Sequence, residues 1–308
     1  MKKIVITGGT GFVGRNVVER LFEHDAETRL VVPTRHLASG RQVQVLPTVD
    51  LLECRIDDPA ALHGLLDGAD ALVQLVAILH GSENDFDRVH VQLQRTLAAA
   101  CAAAGVKRVV HVSALGVGAH APSHYLRSKA AGEAVWQQAA QLHGLDITLL
   151  RPSVIFGAED RFTNLFASLQ RVFPVLPLAG TAARFQPVWV GDAAQAVVNC
   201  LATPSAPGPV IECAGPEVLT LEQIVQRVGA MAGCLRPVLP LPEAIGMLQA
   251  ALMGLLPGEP LMSRDNLLAM RVPNIASGTL PGLALLGITP ASLATLAAHF
   301  SPPDPRRR

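Results

Sequence analysis

The sequence predicts an α/β protein with a doubly wound parallel sheet and a smaller mixed, largely helical C-terminal lobe. Three observations carry that prediction. Ile4-Val5-Ile6 is a short β-branched run leading into glycines at positions 8, 11 and 14, the pattern of a buried central strand that turns into a helix. Runs of this kind alternate with helical stretches several times by residue 113, which favours parallel strands joined by right-handed crossovers. From Pro237 onward leucine, proline and glycine dominate, and helices alternate with irregular links.

The first unit already carries chemistry. Gly8 allows a tight turn, Gly11 lets the backbone approach a pyrophosphate, and Gly14 lets a helix over 13–22 pack closely on the sheet. The free N–H groups and positive dipole end of that helix then face the phosphates. The spacing is Gly-x-x-Gly-x-x-Gly rather than the commoner Gly-x-Gly-x-x-Gly. A second strand over 29–32 ends where an acidic residue would hold a ribose 2′-hydroxyl, but Pro33-Thr34-Arg35-His36 stands there instead. Arg35, helped by Arg15, suits a 2′-phosphate, so NADP(H) is the expected cofactor and NAD(H) the alternative.

Further along, 43–45 and 51–54 are expected strands, and Asp58-Pro59 opens a helix through Leu66 with Asp58 as its cap. An apolar strand over 71–79 has Gln74 as its one polar interruption. A helix over 89–104 ends at Gly105, and strands follow over 109–113 and 147–150. Pro174-Val175-Leu176-Pro177-Leu178 must be loop or edge. Asp192 is the expected N-cap of a helix over 193–201, and Thr220 with Gln223 forms a capping box for a helix over 221–231. Ile245, Leu248, Leu252, Leu255 and Leu256 fall at helical spacing, which fits core or subunit contact, or else a hydrophobic lid or patch that meets membrane or quinone.

Composition narrows the function classes. The chain has 308 residues, enough for one large or two modest cores. Lys plus Arg and Asp plus Glu are both 25, and a net charge of zero argues against nucleic-acid binding, which needs a basic excess. Charged residues are 16% and mean hydropathy is +0.35, so either the core is large or apolar surface serves partners or a membrane. The longest uncharged apolar run, 244–258, is too short to span a bilayer, and no secretory leader is expected because the residues after Lys3 break into glycines. Five scattered cysteines without a Cys-x-x-Cys pair read as buried thiols in a reducing cytoplasm. No metal constellation is expected, and His63, His80, His90 and His111 read as scattered surface or packing residues.

Tyr125-Leu126-Arg127-Ser128-Lys129 places a phenol and an ammonium four residues apart on one helical face. An adjacent ammonium favours phenolate and lowers the phenol pKa, which suits Tyr125, the only tyrosine, to acid/base work.

Together with the stretch Thr7 to Gly14, this resembles the short-chain dehydrogenase/reductase superfamily in its extended form (NAD-dependent epimerase/dehydratase-like). Val112-Ser113-Ala114-Leu115-Gly116, the stretch 125–133, Leu150-Arg151-Pro152-Ser153-Val154-Ile155-Phe156-Gly157 and Phe185-Gln186-Pro187-Val188-Trp189-Val190-Gly191-Asp192 resemble an atypical subgroup, a resemblance that runs on through Pro260-Leu261-Met262-Ser263-Arg264-Asp265-Asn266. That subgroup contains the nucleotide-binding accessory subunit of respiratory complex I and its bacterial relatives. The resemblance implies a Rossmann-type fold, Tyr125 as acid/base and Lys129 on the nicotinamide ribose. Ser113 is then the substrate-orienting hydroxyl, unless a shifted register places Ala114 there; Ser123 and Ser128 are the other hydroxyls at hand. Cofactor contacts are assigned to Gly8, Thr10, Gly11, Phe12, Val13, Gly14, Arg15 and Arg35, to Val76 and Ala77, and to Lys129, Pro152, Ser153 and Val154. Arg55 takes the place of the aspartate that many members use on the adenine.

The expected organisation is a dinucleotide-binding domain over 1–155 to which 185–205 returns, a substrate lobe from 156–184 and 208–300, and a disordered tail over 301–308. Two functions follow. One is an NADP(H)-dependent oxidoreductase or epimerase acting on a hydrophobic or carbonyl small molecule. The other is an NADPH-holding structural or assembly protein of a respiratory or quinone enzyme. The expected location is cytoplasmic, or peripheral to the inner membrane.

Overall fold

A computed structural model describes residues 1–203, 210–253 and 262–300. The first six strands are β1 (Lys3–Thr7), β2 (Arg29–Thr34), β3 (Val49–Glu53), β4 (Ala71–Gln74), β5 (Arg108–Val112) and β6 (Asp146–Pro152). Shorter strands follow: β7 (Ile155–Phe156), β8 (Leu176–Ala179), β9 (Arg184–Phe185), β10 (Val188–Trp189), β11 (Val210–Cys213), β12 (Leu219–Thr220) and β13 (Val238–Leu241). The helices used below are α1 (Phe12–His24), α2 (Pro59–Leu66), α3 (Glu83–Asp87), α4 (Leu93–Ala104), α5 (His124–His143), α6 (Arg161–Val172), α7 (Val190–Ala202), α8 (Leu221–Met231), α9 (Glu243–Met253) and α10 (Arg264–Ala269).

Among the described residues the main sheet has seven strands in the order β11-β6-β5-β4-β1-β2-β3, every neighbour parallel. The period of two divides each strand between two buried faces. Ile4, Ile6, Leu30 and Val32 pack with α1 and α7 residues on one face; Val5, Val31, Leu72 and Val109 pack with α2, α4 and α5 residues on the other. Both faces are therefore covered, and the strands read as near-continuous apolar runs. The chain winds outward from β1 in both directions, so the switch point lies between β1 and β4, at whose carboxyl ends such folds hold ligands. A separate apolar core joins α6, α8, β8 and β9, with Phe156, Phe166, Leu176 and Val228 at its centre.

Several elements differ from expectation. Val43-Gln44-Val45 is a turn, because Val43 and Gln44 both donate to the Gly40 carbonyl while Val43 is buried in the core. The third strand is Val49–Glu53, two residues earlier than expected. The strand from Ala71 stops at Gln74, whose side-chain oxygen takes the Val76 N–H at 2.7 Å and draws the chain out of the ladder. The helix expected from residue 89 begins at Glu83 under a Ser82/Asp85 capping box and passes through a π-helical turn, Arg88–Gln92. Asp192 is not an N-cap: Trp189 holds that position, and the Asp192 carboxylate accepts the Ala291 N–H at 2.7 Å. The 174–178 stretch meets the edge expectation, since Leu176–Ala179 pairs only with β13 in a two-stranded ribbon. Ile245 and Leu248 are exposed on α9, while Leu252, Leu255, Leu256 and the 301–308 tail fall outside what is described.

Two helix glycines make opposite demands. A methyl on Gly64 of α2 would meet nothing within 4 Å, whereas one on Gly132 of α5 would lie 2.2 Å from the His90 carbonyl oxygen in the π-helical turn. Gly64→Ala is therefore expected to stabilise the fold by about 0.4–1 kcal/mol through reduced unfolded-chain entropy. Gly132→Ala should destabilise it by about 1–3 kcal/mol, because rigid backbone must move. Denaturant unfolding of the two variants measures both; a common sign would contradict the packing described.

Candidate functional site

The glycine turn follows β1 directly. Gly8 has φ +79°, in the left-handed region, and the Gly11 N–H closes the turn on its carbonyl at 3.0 Å. A methyl on Gly14 would lie 2.1 Å from the Gly8 carbonyl oxygen and 2.6 Å from the Gly9 Cα, so the start of α1 rests on the turn itself. Six other helices, α2, α3, α5, α6, α8 and α10, begin under a side-chain cap. α1 begins at Gly11 with no side-chain cap, leaving its first N–H groups for a ligand. Thr10 and Val13 are half-buried beside it, and the half-buried Phe12 ring lies against Gly157.

The two arginines expected at a 2′-phosphate are not alike. Arg35 is exposed just past β2 and makes no ion pair among the described residues. Arg15 is instead ion-paired with Glu159, in the loop after β7. Arg55 forms a two-contact pair with Asp57, whose carboxyl it holds below the usual range with a smaller contribution from Arg35.

Across the switch point, the loop after β4 lies against the turn: a methyl on Gly8 would stand 3.1 Å from the Val76 nitrogen. Ala77 is exposed on that loop. Gln74 holds the loop from beneath. It accepts from Thr7 Oγ1 at 2.7 Å and donates to Gln94 Oε1 at 3.0 Å, which also takes the Trp136 indole N–H at 3.0 Å. His90 contributes a second link by accepting the Ile78 N–H at 3.1 Å. It is buried and hydrogen-bonded rather than scattered, and burial, reinforced by the Lys129 charge, pushes its imidazole down to about 3.

Tyr125 and Lys129 lie one turn apart at the start of α5. The Lys129 ammonium is buried and donates to the Val112 carbonyl at 2.7 Å, beside Ser113. Burial lowers it to about 8, against the opposing pull of Glu133, whose carboxylate is bound by Arg151 at 2.9 and 2.5 Å. The Tyr125 ring stands edge-on to His90 and Phe86, with centroids 5.6 and 6.2 Å away. The expected lowering of its phenol is not found: burial pushes it up to about 12. Among the described residues the Tyr125 hydroxyl has no hydrogen-bond partner. The Ser113 hydroxyl is likewise buried without a partner, whereas Ser123 caps α5 and Ser128 is engaged by His90 and the Tyr125 carbonyl. Of the serine hydroxyls considered, Ser113 is thus the one without a partner among the described residues.

Residues far along the chain complete this end. Pro152 closes β6, and Ser153 Oγ donates to Asn274 Oδ1 at 2.6 Å while the Val154 N–H reaches the same oxygen at 2.9 Å. Asn274 Nδ2 donates to the Leu115 carbonyl at 3.3 Å, tying the loop after β5 to the loop after β6. Asp265 accepts the His124 and Tyr125 N–H groups at 2.6 and 3.0 Å, so a carboxylate of α10 sits on the positive end of α5. A cavity of about 350 Å³ adjoins this strap, lined by Arg184, Glu243, Leu267, Met270, Arg271 and Pro273 among others. Sequence reasoning missed Glu159, Gln94 and Asn274, and it met Asp265 only as part of a resembling stretch. Nothing local marks them, since their partners lie 144, 20 and 42, 121 and 140 residues away.

Among the described residues no helix is long and apolar enough to cross a membrane, and no group of three His, Cys, Asp or Glu side chains is placed to hold a metal.

Comparison with known proteins agrees with this geometry. The chain is 31% identical over 295 residues to NADH dehydrogenase (ubiquinone) 1 alpha subcomplex subunit 9, mitochondrial, of Mus musculus, spanning 94% of this chain and 76% of that protein. It is 31% identical over 205 residues to a ceramide reductase of Caulobacter vibrioides, spanning 65% and 61% of the two chains. An NADPH-dependent quinone oxidoreductase of Escherichia coli, solved with NADPH, shares the fold at a TM-score of 0.76 and 22% identity over 96% of this chain and 99% of that one. The sequence profile of the NAD dependent epimerase/dehydratase family matches residues 4–214, a span that takes in the glycine turn, Tyr125, Lys129 and the 152–154 loop, and the chain belongs to that family.

Proposed function

We propose that this protein is an NADP(H)-dependent oxidoreductase in which Tyr125 exchanges a proton with a carbonyl oxygen of a hydrophobic substrate. The observation that carries the reading is the cluster at the start of α5. A buried Lys129 ammonium is anchored on the Val112 carbonyl, the next residue's buried Ser113 hydroxyl has no partner, and Tyr125, one helical turn before Lys129, has a hydroxyl that no described residue engages. Such groups cost stability unless a ligand or solvent satisfies them, which is how functional sites depart from ordinary cores.

The residues present fit a dinucleotide. The glycines of the Gly8–Gly14 turn, which keep its backbone bare at those positions, and the uncapped N–H groups of α1 suit a pyrophosphate. Arg35, exposed just past β2, suits a 2′-phosphate, and no acidic residue stands at the end of β2 to claim a 2′-hydroxyl. A bound nicotinamide supplies or takes up hydride. Lys129 holds the ribose, and Ser113 donates to the substrate oxygen. Tyr125 delivers or removes the proton at that oxygen. A phenol raised by burial is a poor base alone, so Lys129 and the ligand must favour its ionised form in the occupied site. Val76, Ala77, Pro152, Ser153 and Val154 would line the space toward the nicotinamide. The adjoining cavity, with Leu267 and Met270 beside Arg184, suits a largely apolar substrate with a polar end.

A second reading has its own observation. Ile245 and Leu248 are exposed on one helix, and the mouse relative is named as a subunit of NADH dehydrogenase (ubiquinone). In that reading the same pocket holds NADPH with little turnover, and α9 contributes to contact with a respiratory complex at the membrane periphery.

The two readings part on turnover. Tyr125→Phe should keep NADPH binding but slow NADPH oxidation by carbonyl or quinone substrates by about 10²–10⁴-fold. If wild type binds NADPH and oxidises it with no aldehyde, ketone or quinone, the second reading replaces the first. Arg35→Ala should weaken NADPH by about 1.5–3 kcal/mol, roughly ten- to a hundredfold, while NADH changes by less than about threefold. Fluorescence titration with both nucleotides measures this, and equal losses would refute the NADP preference.

A further inference from the structure

We infer that His90 is a positioning residue that locks the loop after β4 to the Tyr125 helix, setting both the wall of the cofactor site and the orientation of the phenol ring. The inference rests on the reading that a nicotinamide nucleotide occupies the glycine turn, and goes beyond it by assigning a role to a residue outside the Tyr125/Lys129 pair.

The geometry fixes the tautomer. The Ile78 backbone N–H can only donate, so His90 Nε2, 3.1 Å away, carries the lone pair. Nδ1 then carries the hydrogen and donates to Ser128 Oγ at 2.8 Å, and Ser128 passes its own hydrogen to the Tyr125 carbonyl at 2.9 Å. Three polar contacts thus run in one direction from the loop beside the glycine turn to the first turn of α5. The imidazole is buried, and with its pKa near 3 it stays neutral, so the polarity of the chain does not change across the working pH range.

Two further features serve this placement. His90 sits in the π-helical turn, where an extra residue swings side chain and carbonyl out of the regular helical path. Gly132 makes room for that bulge, since any Cβ there would collide with the His90 carbonyl oxygen at 2.2 Å. The imidazole also meets the Tyr125 ring edge-on at a centroid distance of 5.6 Å, so the residue that pins the loop also limits where the phenol can swing. An apolar residue of similar size would fill the same volume and leave the Ile78 N–H without its acceptor.

Three substitutions separate the contacts. His90→Gln keeps an acceptor near the Nε2 position for Ile78. His90→Asn keeps a donor near the Nδ1 position for Ser128, and His90→Leu keeps neither. Because Tyr125 is the only tyrosine, protein labelled with 3-fluorotyrosine gives one ¹⁹F resonance that reports its surroundings directly. Titration with NADPH reports the loop. The expected result is NADPH affinity within about threefold of wild type for Gln and about tenfold or more weaker for Asn and Leu, with the ¹⁹F resonance shifted in all three by loss of the imidazole ring and displaced or broadened less in Asn than in Gln and Leu. If Leu fails to fold, the Gln/Asn crossover still decides, and Ser128→Ala should reproduce the displaced resonance alone. Leu binding NADPH as well as Gln, or an unmoved resonance in every folded variant, would overturn the role. If wild type binds neither NADPH nor NADH, the cofactor reading fails, and the ¹⁹F comparison still tests the placement of the ring.

Discussion

Gly14 brings the first turn of α1 into direct contact with the Gly8 carbonyl and the Gly9 backbone, a distance no side chain would permit. That approach fixes the start of α1, with its uncapped N–H groups, at the carboxyl end of β1, one of the two strands that flank the switch point. The rest of the site is arranged around it. The loop after β4 lies against Gly8, Phe12 meets Gly157 on the far side, and Arg15 is ion-paired with Glu159 in the same loop as Gly157.

The β1 turn is rigid because buried polar groups hold its neighbours. Thr7, Gln74, Gln94 and Trp136 form a satisfied network beneath β1 and β4, so the loop wall has little freedom to drift. The chemical end is less complete. Among the described residues Ser113 Oγ and both ring nitrogens of the buried His111 lack hydrogen-bond partners, and Lys129 is held well below its usual pKa by burial. The satisfied network under β1 and β4 thus contrasts with the unmet polar groups at the end of β5.

Local physics made the framework readable. The β-branched run before Gly8, the Asp58-Pro59 start, the Gly105 stop and the Thr220/Gln223 box each act over a few residues, and each recurs in the structure. Val43-Gln44-Val45 was misleading because only Val43 is buried, packed from a turn against β2 and β3 residues, while Val45 is exposed, so apolar composition and strand pairing part company. The Ala71 strand looked longer because its apolar run continues past Gln74, and only a side-chain contact ends it. At the candidate site Tyr125 and Lys129 were legible through their spacing. His90, Asp265 and Asn274 were not, because their meaning depends on backbone groups brought together by the sheet order. Asp265 and Asn274 also make the start of α5 and the 152–154 loop depend on the C-terminal part of the chain, so a ligand in the adjoining cavity would bear on Tyr125 through contacts already in place.

The claim that this turn and the start of α5 form one nicotinamide-nucleotide site is tested most directly by hydrogen–deuterium exchange with and without NADPH. The account predicts slowed exchange in three separate stretches together, 8–16, 75–79 and 123–130. Absence of protection at saturating NADPH, or protection confined to the cavity segments 180–184 and 267–273, would contradict it.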